Sequence, residues 1–143
     1  MRFIGTALQT VDSKGRVVLP ARFKRLLTPG DQDTMVLTAG RESCLLLYPL
    51  TEWGRLAELL DSMPRGPAKR DAIRTISDNT TELELDAAGR LTLPREFLSR
   101  VGIDRDVALV GQLRYIELWA REPYERDAEQ RSQASSHILD EIL

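Results

Sequence analysis

A thirteen-residue pattern occurs twice in this 143-residue chain. Residues 11–23 read VDSKGRVVLPARF and residues 85–97 read LDAAGRLTLPREF, so Asp, Gly, Arg, Leu, Pro and Phe recur at a constant offset of 74 residues. Each copy has the form of an apolar strand, a polar turn, a second short strand and a proline-led helix. In the first copy Gly15 can take positive φ freely, and Asp12 offers a short acceptor for the turn's own N–H groups. A hairpin of Phe3–Val11 with Val17–Leu19 is the economical reading. Pro20 suits the first position of a helix, where its missing N–H is not needed, and that helix runs to about Leu27 before the breaker Thr28-Pro29-Gly30. Met35–Leu37 and Cys44–Tyr48 add two strands around a turn near Ala39-Gly40-Arg41, which makes the unit β-β-α-β-β.

The second copy follows the same plan: Thr81–Leu85, a turn at Ala87-Ala88-Gly89, Leu91–Leu93, a helix from Pro94, Val107–Val110 and Tyr115–Trp119. A shortening of three residues moves the offset to 71, at which Leu47-Tyr48 align with Leu118-Trp119 and Trp53 with Tyr124. The repeat thus covers most of each half. Strands this short cannot bury two faces alone, so the halves are expected to interdigitate into one α+β barrel with pseudo-twofold symmetry. Between them, Leu50, Trp53, Leu56, Ala57, Leu60 and Met63 recur at helical spacing, predicting an amphipathic helix over Thr51–Met63 with a core-facing stripe. The PRGP at 64–67 ends it, and Pro67 opens another helix through Ala72, Ile73 and Ile76. The expected organisation is a first repeat at 1–50, a helical hairpin linker at 51–78, a second repeat at 79–120, and a C-terminal helix or tail at 121–143. This last stretch echoes the linker helix through Tyr124 and Ala128, then thins into RSQASS at 131–136. Its end carries Ile138, Leu139, Ile142 and Leu143 with no visible partner.

Several kinds of chemistry are excluded. The one histidine, His137, lies in the weakly patterned tail and reads as a bystander. No GxGxxG or GxxxxGK loop occurs, no His/Cys/Asp/Glu cluster has metal-ligand spacing, and Glu82 and Glu84 alternate as on a solvated strand face. The chain reads as a non-enzyme without cofactors. Cys44, the only cysteine, sits in an apolar run and reads as a buried thiol. The longest apolar run, Cys44–Tyr48, is far short of the roughly 20 residues that span a bilayer, and no secretory signal is evident after Met1-Arg2. A cytoplasmic location is expected.

Charge is uneven. The chain carries a net −2, yet residues 1–25 hold six cations (Arg2, Lys14, Arg16, Arg22, Lys24, Arg25) against Asp12 alone, a net +5, while residues 120–143 hold three cations against six anions. A basic face on an acidic protein results if the head cations converge. The turn accounts for Asp, Gly, Leu, Pro and Phe of the repeated pattern, but not for Arg16 and Arg90. A displayed guanidinium binds phosphate or the O6/N7 edge of guanine, and Lys14 stands two residues from Arg16. Spacing alone leaves nucleic-acid binding and a merely solvated arginine both open.

The two turns, with LYPLTEW at 47–53 and YIELW at 115–119, resemble the MraZ family of bacterial transcriptional regulators, over a span from Met1 to about Arg126. One copy would resemble only the wider AbrB/SpoVT-like swapped-hairpin class. The resemblance implies a tandem swapped-hairpin, double-psi-like barrel and assembly into a homo-oligomeric ring, an octamer or dodecamer. It also implies binding to short direct repeats in the promoter region of the division and cell wall gene cluster that includes its own gene, in the cytoplasm at the nucleoid. By motif position Asp12, Lys14 and Arg16, with Asp86 and Arg90, correspond to the DNA-binding loops, and Arg22 and Lys24 add cations beside the first. The second copy departs from the first at Ala88 for Lys14, Glu96 for Arg22, and Leu98 and Ser99 for Lys24 and Arg25. The first repeat is therefore expected to supply most phosphate contacts, with Arg90 secondary. Two other classes fit a basic-loop barrel: an AbrB-like antitoxin with a toxin-binding tail, against which a full tandem repeat argues, and a ring-forming protein-interaction scaffold.

Overall fold

The computed structural model describes residues 2–40 and 43–143. Among these residues eight strands and five α-helices occur in the order β1 (Thr6–Thr10), β2 (Arg16–Val18), α1 (Ala21–Lys24), β3 (Thr34–Ala39), β4 (Leu45–Pro49), α2 (Leu50–Asp61), α3 (Pro67–Asp78), β5 (Thr80–Glu84), β6 (Arg90–Thr92), α4 (Arg95–Arg100), β7 (Asp106–Gly111), β8 (Ile116–Ala120) and α5 (Arg121–Ile142). The architecture is α+β. The β3–β4 turn expected near Ala39-Gly40-Arg41 reaches residues outside those described.

Strand pairing departs from a simple hairpin. β1 pairs antiparallel with β7 in the second half, Thr6 opposite Val110 through Thr10 opposite Asp106, and β5 pairs with β3 in the first half. Among the described residues β2 pairs only with β6, the corresponding strand of the other copy. The turn after β1 still closes through Asp12 N–H to the Arg16 carbonyl (2.9 Å), but the next N–H back, Val11, donates to the Arg105 carbonyl (2.7 Å). The physical reason is burial: five-residue β1 beside three-residue β2 would cover almost nothing, whereas exchange lays β1 along the fully buried centre of β7.

The result is one six-stranded sheet in the order β1-β7-β8-β4-β3-β5, with the β2–β6 ribbon following tight turns from both edge strands, β1 and β5. Pseudo-twofold symmetry is visible in the registers. Val17 faces Leu91, its own counterpart at the offset of 74, and Leu46 faces Glu117, its counterpart at 71. The main core draws on both copies in matched pairs: Val17 with Leu91, Leu19 with Leu93, Phe23 with Phe97, and Leu45 and Leu47 with Ile116 and Leu118. Asp31, buried after the one-turn 3-10 helix at Pro29–Asp31, accepts from Thr28 N–H (2.8 Å) and Thr51 N–H (3.0 Å) and from both threonine hydroxyls, fastening that turn to the start of α2.

Three helix expectations change. Pro20 and Pro94 stand at the N-cap with extended ψ, one residue before the positions expected, and α1 ends at Lys24 with only single-turn bonds carrying on to Leu27. No residue of α2 or α3 is buried, so the stripe from Trp53 to Leu60 is half covered rather than core, and Met63 is exposed. The 131–136 stretch does not break the chain: α5 is continuous across it, helped by i,i+4 ion pairs Arg121–Glu125 and Asp127–Arg131. The start of α5 repeats that of α2, with Tyr124 against Trp119 (6.3 Å between ring centres) where Trp53 meets Tyr48 (5.6 Å).

Candidate nucleic-acid interface

The two recurring turns are built alike, atom for atom. Asp12 Oδ1 accepts from the N–H groups of Lys14 (2.9 Å) and Arg16 (2.8 Å), and Oδ2 accepts from Arg16 Nε (2.7 Å). Asp86 does the same with Ala88 (2.9 Å), the Arg90 N–H (2.9 Å) and Arg90 Nε (2.8 Å). The Arg16 backbone N–H leads the interactions that hold the Asp12 carboxyl below its ordinary value, outweighing desolvation together with the Arg16 side chain and the Lys14 N–H. Asp86 is lowered in the same way by Arg90 and Ala88. Each aspartate therefore stays ionised and grips its arginine by Nε, which fixes the guanidinium plane. The other four N–H donors of each arginine have no hydrogen-bond partner among the described residues.

The turns also lock into one another. Leu93 N–H donates to the Gly15 carbonyl (2.8 Å) and Leu19 N–H to the Gly89 carbonyl (2.9 Å), each leucine belonging to the opposite copy. Gly15 has φ +83°, and a Cβ there would stand 2.8 Å from the Leu93 carbonyl oxygen, so close approach of two backbones demands glycine.

Because Val17 and Leu91 point inward, alternation sends Arg16 and Val18 of β2 and Arg90 and Thr92 of β6 to the outer face. Two residues of register separate the arginines, placing their Cα atoms about 8 Å apart. One outward ribbon face therefore carries both guanidinium groups, with exposed Val18 and Thr92 between them.

The other cations singled out in the sequence are not all gathered around the first turn. Lys14 sits on it. Lys24, however, lies against the second turn, its Nζ 3.5 Å from where a Gly89 Cβ would stand. Arg22 is turned away, donating to the Thr6 carbonyl (3.0 Å) with its guanidinium 5.1 Å from the Phe23 ring centre. The basic head thus splits between the two ends of the ribbon, and the surroundings of Arg90 include a cation that the second copy's own sequence lacks. Arg95 and Arg105 escaped the sequence reading. Both belong to the second repeat, yet strand exchange brings them to the first turn, where they line a cleft with Asp12, Lys14 and Gly15. Neither recurs as a cation: Arg95 stands where the first copy has Ala21, and Arg105, whose carbonyl accepts from Val11 N–H, takes the place of Asp33, whose carbonyl accepts from Leu85 N–H.

Among the described residues no helix is long and apolar enough to cross a membrane, and no group of three or more His, Cys, Asp or Glu could hold a metal ion.

The family model described as "MraZ protein, putative antitoxin-like" matches the chain twice in succession, at residues 2–75 and 76–141. Proteins named Transcriptional regulator MraZ are similar over almost the whole length: 31% identity in Natranaerobius thermophilus, covering 99% of this chain and 96% of the relative. The Desulfitobacterium hafniense protein is 36% identical, with 96% of each chain covered, and the Marinomonas sp. protein 38%, covering 89% and 85%. These names describe regulation and no reaction. With its tandem turns, exchanged strands and two consecutive family matches, the chain belongs to the MraZ family.

Proposed function

We propose that this chain is a transcriptional regulator that binds DNA through the outer face of the β2–β6 ribbon. The observation that carries this reading is the pair of guanidinium groups, each held by its own aspartate on one face of a two-stranded ribbon. A two-stranded ribbon fits the major groove of B-DNA, and an oriented guanidinium binds guanine O6 and N7 bidentately. Arg16 and Arg90 read base edges in this scheme, while Lys14 and Lys24 hold phosphates at the two ends. Asp12 and Asp86 position the arginines, and Arg22 supports the barrel through Thr6. Lys24 makes Arg90 a full contributor rather than a secondary one.

The targets, following the family resemblance, are short direct repeats upstream of the division and cell wall gene cluster that includes the protein's own gene. Binding is by a ring of eight or twelve subunits, at the nucleoid in the cytoplasm. Support for association comes from the exposed apolar surface: Ile138, Leu139 and Ile142 at the end of α5, and the open groove of Trp53, Leu56, Leu60, Ile73 and Ile76 beneath α2 and α3.

The test is a fluorescence anisotropy titration of wild type, Arg16→Ala and Arg90→Ala on upstream and scrambled duplexes at fixed salt. Each variant should lose about 1–3 kcal/mol per engaged turn on the upstream DNA and discriminate less between the two. Several turns acting together in a ring multiply the loss. Circular dichroism checks that the fold persists. Wild-type affinity and discrimination in both variants would reduce the arginines to turn residues.

A further inference from the structure

The ribbon is pseudo-twofold, but its two ends are unequal. Val11 N–H reaches the Arg105 carbonyl (2.7 Å) at the first turn, and Leu85 N–H reaches the Asp33 carbonyl (2.8 Å) at the second, so Arg105 and Asp33 occupy matching places with opposite charge. The other matched positions differ as well: Lys14 corresponds to Ala88, Arg95 to Ala21, and Leu98 to Lys24. Asp12 and Asp86 are each paired with their own arginine. Beyond those pairs, Lys14, Arg95 and Arg105 outnumber Asp104 by two around the first turn, whereas at the matching positions of the second Lys24 stands against Asp33 and Glu84.

The three cations line one open cleft of about 680 Å³, floored by Leu93 and Leu98. Arg95 and Arg105 are exposed, and none of the three side chains makes an ion pair or hydrogen bond among the described residues. Charges left unpaired beside an arginine already oriented outward suit a polyanion running past the turn, since each phosphate neutralised releases condensed counterions. A compact anion would leave most of such a cleft unfilled.

From this we infer that Lys14, Arg95 and Arg105 form a phosphate-binding wall that follows the DNA backbone at the first turn only, giving the symmetric ribbon a fixed direction on its target. The inference rests on the DNA-binding reading above and goes beyond it in two respects. It adds two contact residues from the second repeat, and it gives a pseudo-symmetric barrel one preferred orientation on DNA.

Two measurements test it. The first follows anisotropy against salt for wild type and the Arg95→Ala/Arg105→Ala double variant on upstream and scrambled duplexes. The slope of log K against log salt should fall by about 1.8 per engaged subunit, equally on both DNAs. An unchanged slope, or a loss confined to upstream DNA, overturns the wall. Because both residues are surface-exposed, the fold should be unaffected, and circular dichroism verifies this. The second uses upstream duplexes in which neutral methylphosphonates replace phosphates on one flank of a binding element or on the other. Wild type should weaken severalfold more for one flank than for the other, where Lys24 alone is at hand, and the double variant should lose most of that difference; equal weakening on both flanks overturns the direction. Wild type that fails to bind the unmodified upstream and scrambled duplexes would instead sink the DNA-binding reading itself.

Discussion

The two turn glycines look interchangeable in sequence, yet their surroundings give them unequal roles, and an alanine at each measures the difference. Gly15 and Gly89 both have left-handed φ, +83° and +76°, a conformation that costs a non-glycine residue about 1–2 kcal/mol. For Gly89→Ala little else changes: the new methyl meets only the tip of Lys24, no nearer than 3.5 Å. For Gly15→Ala the methyl would stand 2.8 Å from the Leu93 carbonyl oxygen, a backbone atom that cannot swing aside. The turn must shift, and the shift stretches the 2.8 Å bond from Leu93 N–H to the Gly15 carbonyl, adding about 1–3 kcal/mol for a buried donor that loses its acceptor. The expected losses are about 1–2 kcal/mol for Gly89→Ala and about 2–5 kcal/mol for Gly15→Ala. Urea unfolding followed by circular dichroism reads both, with the m-value checking that the unfolded states are comparable. Equal losses, or a larger loss at Gly89, would refute the claim that the turns interlock through backbone contact at Gly15.

A core shared between copies should unfold once, so calorimetry is expected to show a single transition, and two separated transitions would contradict the exchanged strands. Burial pushes the Asp31 carboxyl up, but the Thr28 and Thr51 donors outweigh it and hold the value below the ordinary one. Its stabilisation is therefore present above about pH 4 and lost as pH falls through the lower folded value. Asp31→Ala should cost about 1–3 kcal/mol at pH 7, with the gap to wild type narrowing below pH 4 in urea titrations. Burial, with Tyr115, Glu52 and Glu117 nearby, pushes the Tyr48 phenol up to about 12, so absorbance at alkaline pH should show one tyrosine ionising well after the ordinary value. The apolar face of α5 and the groove under α2 and α3 should keep the chain associated at micromolar concentration. A monomer mass in light scattering would contradict that, and Ile138→Asp with Ile142→Asp should lower the mass of an assembled form.

Much of the strand and helix content was legible because the signals are local: β-branched runs, turn glycines and proline stops. The recurrence at 74 residues announced the symmetry outright. Pairing partners were not legible, since a turn such as Asp12–Arg16 closes in the same way whether β1 then lies beside β2 or departs to β7. That choice is decided by burial at a distance. The same exchange explains the errors about charge. Sequence placed Lys24 with Lys14, ten residues away, but β2 crosses the barrel between them, and α1 reaches the opposite end. Arg95 and Arg105 do not recur in the first copy, so the sequence does not single them out; the incoming first turn is what sets them beside Asp12 and Lys14. Of the helix or tail expected over 121–143 the structure has the helix, and its continuity through RSQASS carries no apolar signal because ion pairs four residues apart support it instead.

Recurrence by itself does not show that Arg16 and Arg90 bind anything, because the interlock already requires most of the repeated residues. Gly15 must admit the Leu93 backbone, Leu19 and Leu93 supply both a core side chain and the N–H that crosses to the other turn, and Phe23 and Phe97 fill the same core. Asp12 and Asp86 order each turn through two backbone N–H groups. The arginine side chains add one Nε bond to those aspartates, at sites where both partners remain about one-third exposed. Exposed ion pairs of this kind contribute little to folding, and the backbone N–H groups would order each aspartate without them. What arginine alone supplies is a planar fork whose orientation is fixed at Nε while its far edge stays open. Two such forks on one ribbon face, with surplus cations at only one end, are what the proposed directional binding of DNA requires and what the stability of the turns does not.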